Sequence, residues 1–134
     1  EGQARAAMGI QFAGSLALQS THPHQGEGRL PNSPRALAML RASLPLAGGR
    51  LQIHPAARYV SDRLGAFARA VPSRLTADLT MSTERLHRNF DVVFGVRNLS
   101  NGRFREPMSD EHMGNYYPPA GRSAFIKLIW HTGE

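Results

Sequence analysis

His22-x-His24 is the first pattern in the chain that could do chemistry, because two imidazoles two residues apart can share a metal ion. It lies in a Gly/Pro-rich stretch without a carboxylate cluster nearby, and a solvated loop accounts for it better. Asp110-Glu111-His112 sets two carboxylates beside an imidazole, the side chains that general acid–base catalysis or metal binding would use. A loop held by side-chain to backbone hydrogen bonds uses the same residue types. No GxSxG, HExxH or P-loop spacing occurs anywhere. The absence of Cys removes thiolate nucleophiles, Cys-ligated zinc and disulfides. The sequence therefore points to no enzyme, no catalytic residue, no cofactor and no metal site. Asn98-Leu99-Ser100 matches the glycosylation pattern, but Asn98 is better read as ordering the start of a loop, and Asn101-Gly102 as a turn.

The 134 residues carry a net charge of +6, supplied almost wholly by Arg, with Lys127 the only Lys. A basic balance suits phosphate-bearing partners, but these Arg residues are scattered and form no block. No run approaches the roughly eighteen apolar residues that a membrane helix needs, which excludes a helical membrane protein. The chain begins at Glu1 and shows no signal-peptide pattern, so any targeting segment would have to lie upstream.

What organises the sequence is alternation with period two, the mark of strands with unlike faces. Phe12, Leu16 and Leu18 oppose Gln11, Ser15 and Gln19; Leu51, Ile53, Ala57 and Tyr59 oppose Gln52, His54 and Arg58. Leu75, Ala77, Leu79 and Met81 oppose Thr76, Asp78, Thr80 and Ser82. Phe90, Val92, Phe94 and Val96 alternate with Asp91, Gly95 and Arg97. Ala124, Ile126, Leu128 and Trp130 oppose Ser123, Lys127 and His131. Ala36 to Leu46 alternates less cleanly, because Leu37 and Met39 interrupt its polar face, and Ala4 to Met8 suits the end of one more strand. This predicts an all-β fold, an antiparallel meander of about seven long strands with no helix.

The connections alternate too. Ser20 to Arg35, Ser61 to Ser73 and Ser100 to Arg122 are long; Ala47-Gly48-Gly49 and the turn around Leu86 to Asn89 are short. Loops that grow at one end only, joining strands of about ten residues, are the pattern of an outer-membrane barrel.

Three stretches resemble the C-terminal barrel of TonB-dependent outer-membrane receptors. Asn32-Ser33-Pro34-Arg35 with Ala36 to Leu40 is similar to the family's "NSPRHLAKL". Val96 to Arg105 with Glu106-Pro107 is similar to "VRNLFDRRYRDP". Ser109 to His112, then Pro118 to Arg122, resembles the "SDEH…P-x-x-GR" passage before the terminal strand. The resemblance covers roughly the last hundred residues in order and the rest more loosely. It implies that residues 1–134 are the C-terminal part of a large transmembrane barrel, an open curved sheet if isolated, with the plug and upstream strands elsewhere. The implied function is uptake of a scarce nutrient, such as a ferric siderophore or cobalamin, across the bacterial outer membrane. The implied partners are the TonB complex through the plug, outer-membrane lipid and lipopolysaccharide, and a small nutrient ligand, with no nucleic acid.

On this reading Ser123 to Thr132 descends to the periplasm, and the three long connections are extracellular. Thr76, Asp78, Thr80 and Ser82 face the lumen, while Tyr59, Trp130 and Tyr116 or Tyr117 suit the membrane interfaces. Arg residues near strand ends suit lipopolysaccharide phosphates. Arg35, Arg41, Arg58 and Arg97 could line a path for an anionic siderophore complex, but pairing with plug or lumen carboxylates is favoured. The pattern departs from the family in four places. Thr132 stands where a terminal aromatic is usual; Pro55 falls mid-strand; Leu37, Met39, Phe125 and Ile129 put apolar groups on the polar face; and about seven strands cannot close a barrel of about 22. The alternative is a small soluble Arg-rich β-domain that binds a polyanion such as nucleic acid, and its weakness is that aromatics do not interleave with Arg on one face.

Overall fold

The computed structural model describes residues 2–5, 9–20, 32–65, 70–84, 89–107 and 116–132, and no side chain of 5, 105–107 or 116–120. In chain order the strands are β1 (Gly2–Arg5), β2 (Gln11–Leu18), β3 (Ala36–Leu46), β4 (Leu51–Val60), β5 (Arg63–Leu64), β6 (Ala70–Val71), β7 (Arg74–Thr83), β8 (Phe90–Arg97), β9 (Phe104–Pro107), β10 (Tyr116–Ala120) and β11 (Ser123–Trp130). Seven of them form one sheet in the order β1-β2-β3-β4-β7-β8-β11, every neighbouring pair antiparallel. This is the expected meander. The first strand runs over Gly2–Arg5, earlier than the Ala4 to Met8 expected for it, and residues 6–8 lie outside the described set. The sheet is open, with β1 and β11 at its two ends. No α-helix occurs among the described residues, and no helix is long and apolar enough to cross a membrane.

Two small hairpins, β5–β6 and β9–β10, rise out of the long connections after β4 and β8. The sequence reading treated both stretches as loops, because two- to five-residue strands carry too little alternation to stand out. The short connection after β3 is a tight turn in which Ala47, Gly48 and Gly49 have φ of 49°, 66° and 90°. Glycine supplies two of those three left-handed positions without steric cost. Of the turn expected around Leu86 to Asn89, only Asn89 is among the described residues.

Register fixes which residues share a face. Tyr59 pairs with Leu75, Ala57 with Ala77 and Ile53 with Met81, so the apolar sets of β4 and β7 lie on one side. Met81 pairs with Phe94 and Phe94 with Ile126, carrying the apolar side on to β11. Leu16, Leu18, Ile126, Leu128 and Trp130 on this side keep 63%, 74%, 69%, 67% and 64% of their surface exposed. The Phe90 and Trp130 rings meet there with centroids 4.6 Å apart, at the short-turn end. The only buried apolar side chains among the described residues are Val60 and Val71. A soluble sheet must cover one face with another layer, and no second layer exists among the described elements. An apolar side this wide suits hydrocarbon as its solvent.

Pro55 has the effect expected of a mid-strand proline. The β3–β4 ladder keeps one register from Leu37↔Val60 to Leu46↔Leu51 but omits Ala42–Pro55 and Ser43–His54. Both missing pairs depend on one hydrogen bond, the one a residue with an N–H at position 55 would donate to the Ala42 carbonyl. On its other side β4 pairs with β7 through every position, Pro55↔Leu79 included. Pro55→Val is therefore expected to stabilise the sheet by about 1 kcal/mol, the worth of one net backbone bond. Urea titration and slowed hydrogen exchange at the new amide would register it; an unchanged midpoint would mean the Ala42 carbonyl is already satisfied.

Candidate functional site

The motifs that carry the resemblance turn out to be stitches at the long-connection end of the sheet. Asn32 sits at φ 54°, the left-handed conformation that Asn tolerates, and donates its backbone N–H to the Leu64 carbonyl at 2.6 Å. The Gln19 amide reaches the Arg35 carbonyl at 2.9 Å, and its side chain donates to the Pro34 carbonyl at 2.6 Å and to Ser33 Oγ at 3.2 Å. Ser61, 7% exposed, donates its N–H to the Ala36 carbonyl and accepts the Ala36 N–H on its hydroxyl, so β3 begins where β4 ends.

Asn98 orders its loop as the sequence suggested. At φ 54° its side chain donates to the Gly102 carbonyl at 2.8 Å and accepts the Gly102 N–H at 3.1 Å. Its own N–H goes to Asp78 Oδ1 at 2.8 Å, which gives a carboxylate on the polar face a fixed partner. Asn101 Oδ1 then accepts the Arg122 amide at 2.8 Å, and Arg122 Nη2 donates to the Leu99 carbonyl at 2.5 Å. Both ends of the longest connection are thereby tied together. Asn98→Ala, which forfeits the hydrogen bonds to and from Gly102 and the one from Ser100 Oγ in a strained conformation, should destabilise the loop by about 1–3 kcal/mol. Faster proteolysis between residues 98 and 122, with the sheet itself unaffected, is the expected readout.

The sheet's other side is polar and carries the open space. A concavity of about 620 Å³ lies over β2, β3 and β4, lined among others by Gln11, Arg41, Ser43, His54 and Thr80. A second of about 500 Å³ lies nearer the long connections, with Ser15, Ala17, Leu37, Arg58, Arg63 and Arg74 in its wall. Arg63 and Arg74 also line a third, of about 320 Å³, with Arg103 and Phe104. Among the described residues, no Asp or Glu lines any of the three. Arg63 is 4% exposed, and that burial pulls its pKa below the ordinary guanidinium value, although a guanidinium remains charged at any working pH. A concave, cationic, partly dry mouth is suited to a small anion.

Of the four arginines weighed from sequence, Arg41 and Arg58 line these concavities. Arg35 is exposed beside the sheet's edge turn, and Arg97 lies with its guanidinium carbon 5.2 Å from the Phe125 ring centroid. Arg63, Arg74 and Arg103 were missed. Arg74 was legible one residue before the alternation of β7, in phase with Thr76 and Asp78; Arg63 needed knowledge of the β5–β6 hairpin. His22, His24 and Asp110 to His112 lie outside the described residues, as do the side chains of Tyr116 and Tyr117. Among the described residues no three His, Cys, Asp or Glu side chains gather as a metal would require. The apolar intruders on the polar side are accommodated. Leu37 pairs with Val60, and Phe125 lies across Gly95. His131 Nε2 stands 2.6 Å from Asp91 Oδ2 at the short-turn end of the same side.

No protein-family model matches the chain. No curated protein matches it either. Solved structures do. The ferric-catecholate import receptor Fiu from E. coli K12, in a closed form, superposes with a TM-score of 0.75 at 18% identity over 92% of this chain and 19% of that receptor. The siderophore receptor PiuA from Acinetobacter baumannii gives 0.74 at 18% identity over 95% of this chain and 20% of the receptor. The likeness shows the fold: this meander is built as a stretch of those receptors' chains is built, and it spans about one-fifth of their length.

Proposed function

We propose that residues 1–134 are the closing stretch of the β-barrel of a TonB-dependent outer-membrane receptor, with its plug and remaining strands upstream, and that the receptor takes up a ferric siderophore. The observation that carries this is the seven-stranded antiparallel meander with one continuous apolar side and one polar, concave side, matching siderophore receptors over almost its whole length. Such a sheet is stable in lipid only as part of a closed wall, since every backbone group in hydrocarbon must be paired. The long connections with their two hairpins face outside, the short turns face the periplasm, and the polar side faces the lumen. Phe90 and Trp130 then sit at the periplasmic interface and Tyr59 at the outer one, where amphipathic rings are favoured.

A ferric chelate is preferred over cobalamin because, among the described residues, the concavities at the outer end are lined by Arg58, Arg63, Arg74 and Arg103 and by no acid. Many iron chelates are anions, and both structural neighbours are siderophore or ferric-catecholate receptors. TonB, working on the plug, would supply the energy, and outer-membrane lipid and lipopolysaccharide would be the surroundings. The uncovered apolar side weighs against the soluble polyanion-binding alternative. Membrane fractionation of the full-length gene product tests the proposal: a heat-modifiable band in the outer membrane that rises under iron limitation and binds a radio-iron-labelled ferric tris-catecholate is expected. Recovery of the protein from the cytosol would end it.

A further inference from the structure

The cations on the polar side are not scattered once register is applied. Successive lumen rows across β2, β3, β4 and β7 read Ala17-Leu37-Val60-Arg74, Ser15-Met39-Arg58-Thr76 and Ala13-Arg41-Ala56-Asp78. The next row brings Gln11, Ser43, His54 and Thr80 together. Each of these four rows therefore holds one basic or imidazole side chain: Arg74, Arg58, Arg41, then His54. Rows on the same side of a strand are about 6.7 Å apart, so the four span the wall from its outer end to below its middle. The small side chains in these rows, Ala13, Ser15, Ala17, Ser43 and Ala56, leave room, and the two larger concavities open along the same strands. Over β8 and β11 the space is taken instead by Val93, Ile129 and the Phe125 ring lying on Gly95.

We propose that Arg74, Arg58, Arg41 and His54 form a track along the β2–β4–β7 wall, down which the anionic iron chelate moves from the outer mouth toward the periplasm. This rests on the reading of the chain as a siderophore-receptor wall and adds a route and an order of contacts to it. Charge complementarity identifies the occupant, because the described lining of the two concavities carries Arg41, His54, Arg58, Arg63 and Arg74 and no carboxylate. Asp78, the one acid in the four rows, accepts the Asn98 amide at 2.8 Å. His54 holds Ser82 Oγ at 3.3 Å through Nε2, which fixes its ring at the lower end. A series of single-charge stations suits transit, because each is strong enough to receive an anion and weak enough to release it.

The test uses the whole receptor expressed in its own outer membrane, with radio-iron-labelled ferric tris-catecholate as probe. Surface binding is read on de-energised cells and uptake on energised ones. Arg41→Gln and, separately, Ala56→Trp should leave surface binding within about twofold and receptor abundance unchanged, while uptake falls about fivefold or more. Lys127→Gln, a loss of the same charge on β11 away from the track, should leave uptake within about twofold. If both track variants take up the probe at the wild-type rate, the route is wrong while the receptor reading stands. If Arg41→Gln lowers abundance and heat stability in step with uptake, the side chain pairs with a carboxylate that fills the lumen, and the track is equally overturned. A wild-type receptor that binds no probe removes the siderophore reading and the track with it.

Discussion

Gly95→Val is expected to prevent stable closure of the wall, and Phe125→Ala in the same chain to restore most of what is lost. Gly95 is buried mid-strand on β8, where a Cβ would stand 2.3 Å from both Cε1 and Cζ of Phe125 on the neighbouring β11. No side chain tolerates that approach, and the ring has little freedom to leave. Its strand is held in register by eight pairs to β8, and the Arg97 guanidinium lies over the ring, 5.2 Å from its centroid. Overpacking of this kind costs about 1–3 kcal/mol, and more where the neighbour is a ring caught against backbone. The glycine also loses its cross-strand aromatic cover, a pairing that sheets use to pin register at glycines. The urea midpoint of the solubilised receptor and its heat-modifiable migration measure the effect. A Gly95→Val barrel as stable as wild type would show that the Phe125 ring does not sit there.

This contact also shows why the sequence was legible in part. Phe125 looked like a fault on the polar side of β11, because alternation scores a side chain by its own strand alone. Its explanation lies across the ladder at Gly95, and one strand's pattern cannot reveal a register to another. The strands β4, β7, β8 and β11 were readable because each has one apolar and one polar side, so period two runs along its whole length. Pro55 was readable for the opposite reason: its missing N–H is a property of the residue itself, and the ladder breaks at the pairs that need it.

The candidate site was legible at Arg41 and Arg58, which lie inside long strands. It was hidden at Arg63, which depends on a two-residue strand pairing inside a connection. Asn98 and Asn32 belong to recognisable motifs but perform no chemistry on a ligand. They hold left-handed turns and donate to carbonyls, which is how a motif can mark a fold while leaving its cargo unspecified.

Ile126→Arg is expected to have the other large effect, and it separates the membrane reading from a soluble one by sign. Ile126 stands near the middle of β11, 69% exposed, paired with Phe94 on the side where Leu128 and Trp130 also lie. Facing lipid near the midplane, an arginine there should destabilise the barrel by about 2–4 kcal/mol. The next residue supplies the contrast: Lys127 already bears a charge, and its pairing with Val93 puts it on the polar side, so Lys127→Gln should cost little. The same apolar side facing water would respond in reverse, since a charge replacing an exposed isoleucine raises solubility and leaves stability nearly unchanged. Folding titrations of both variants into lipid vesicles decide the matter. A large loss at position 126 with none at 127 places the boundary between hydrocarbon and lumen at a single peptide bond. Equal, small effects at both would mean that lipid never touches β11, and the barrel assignment would fall with the membrane.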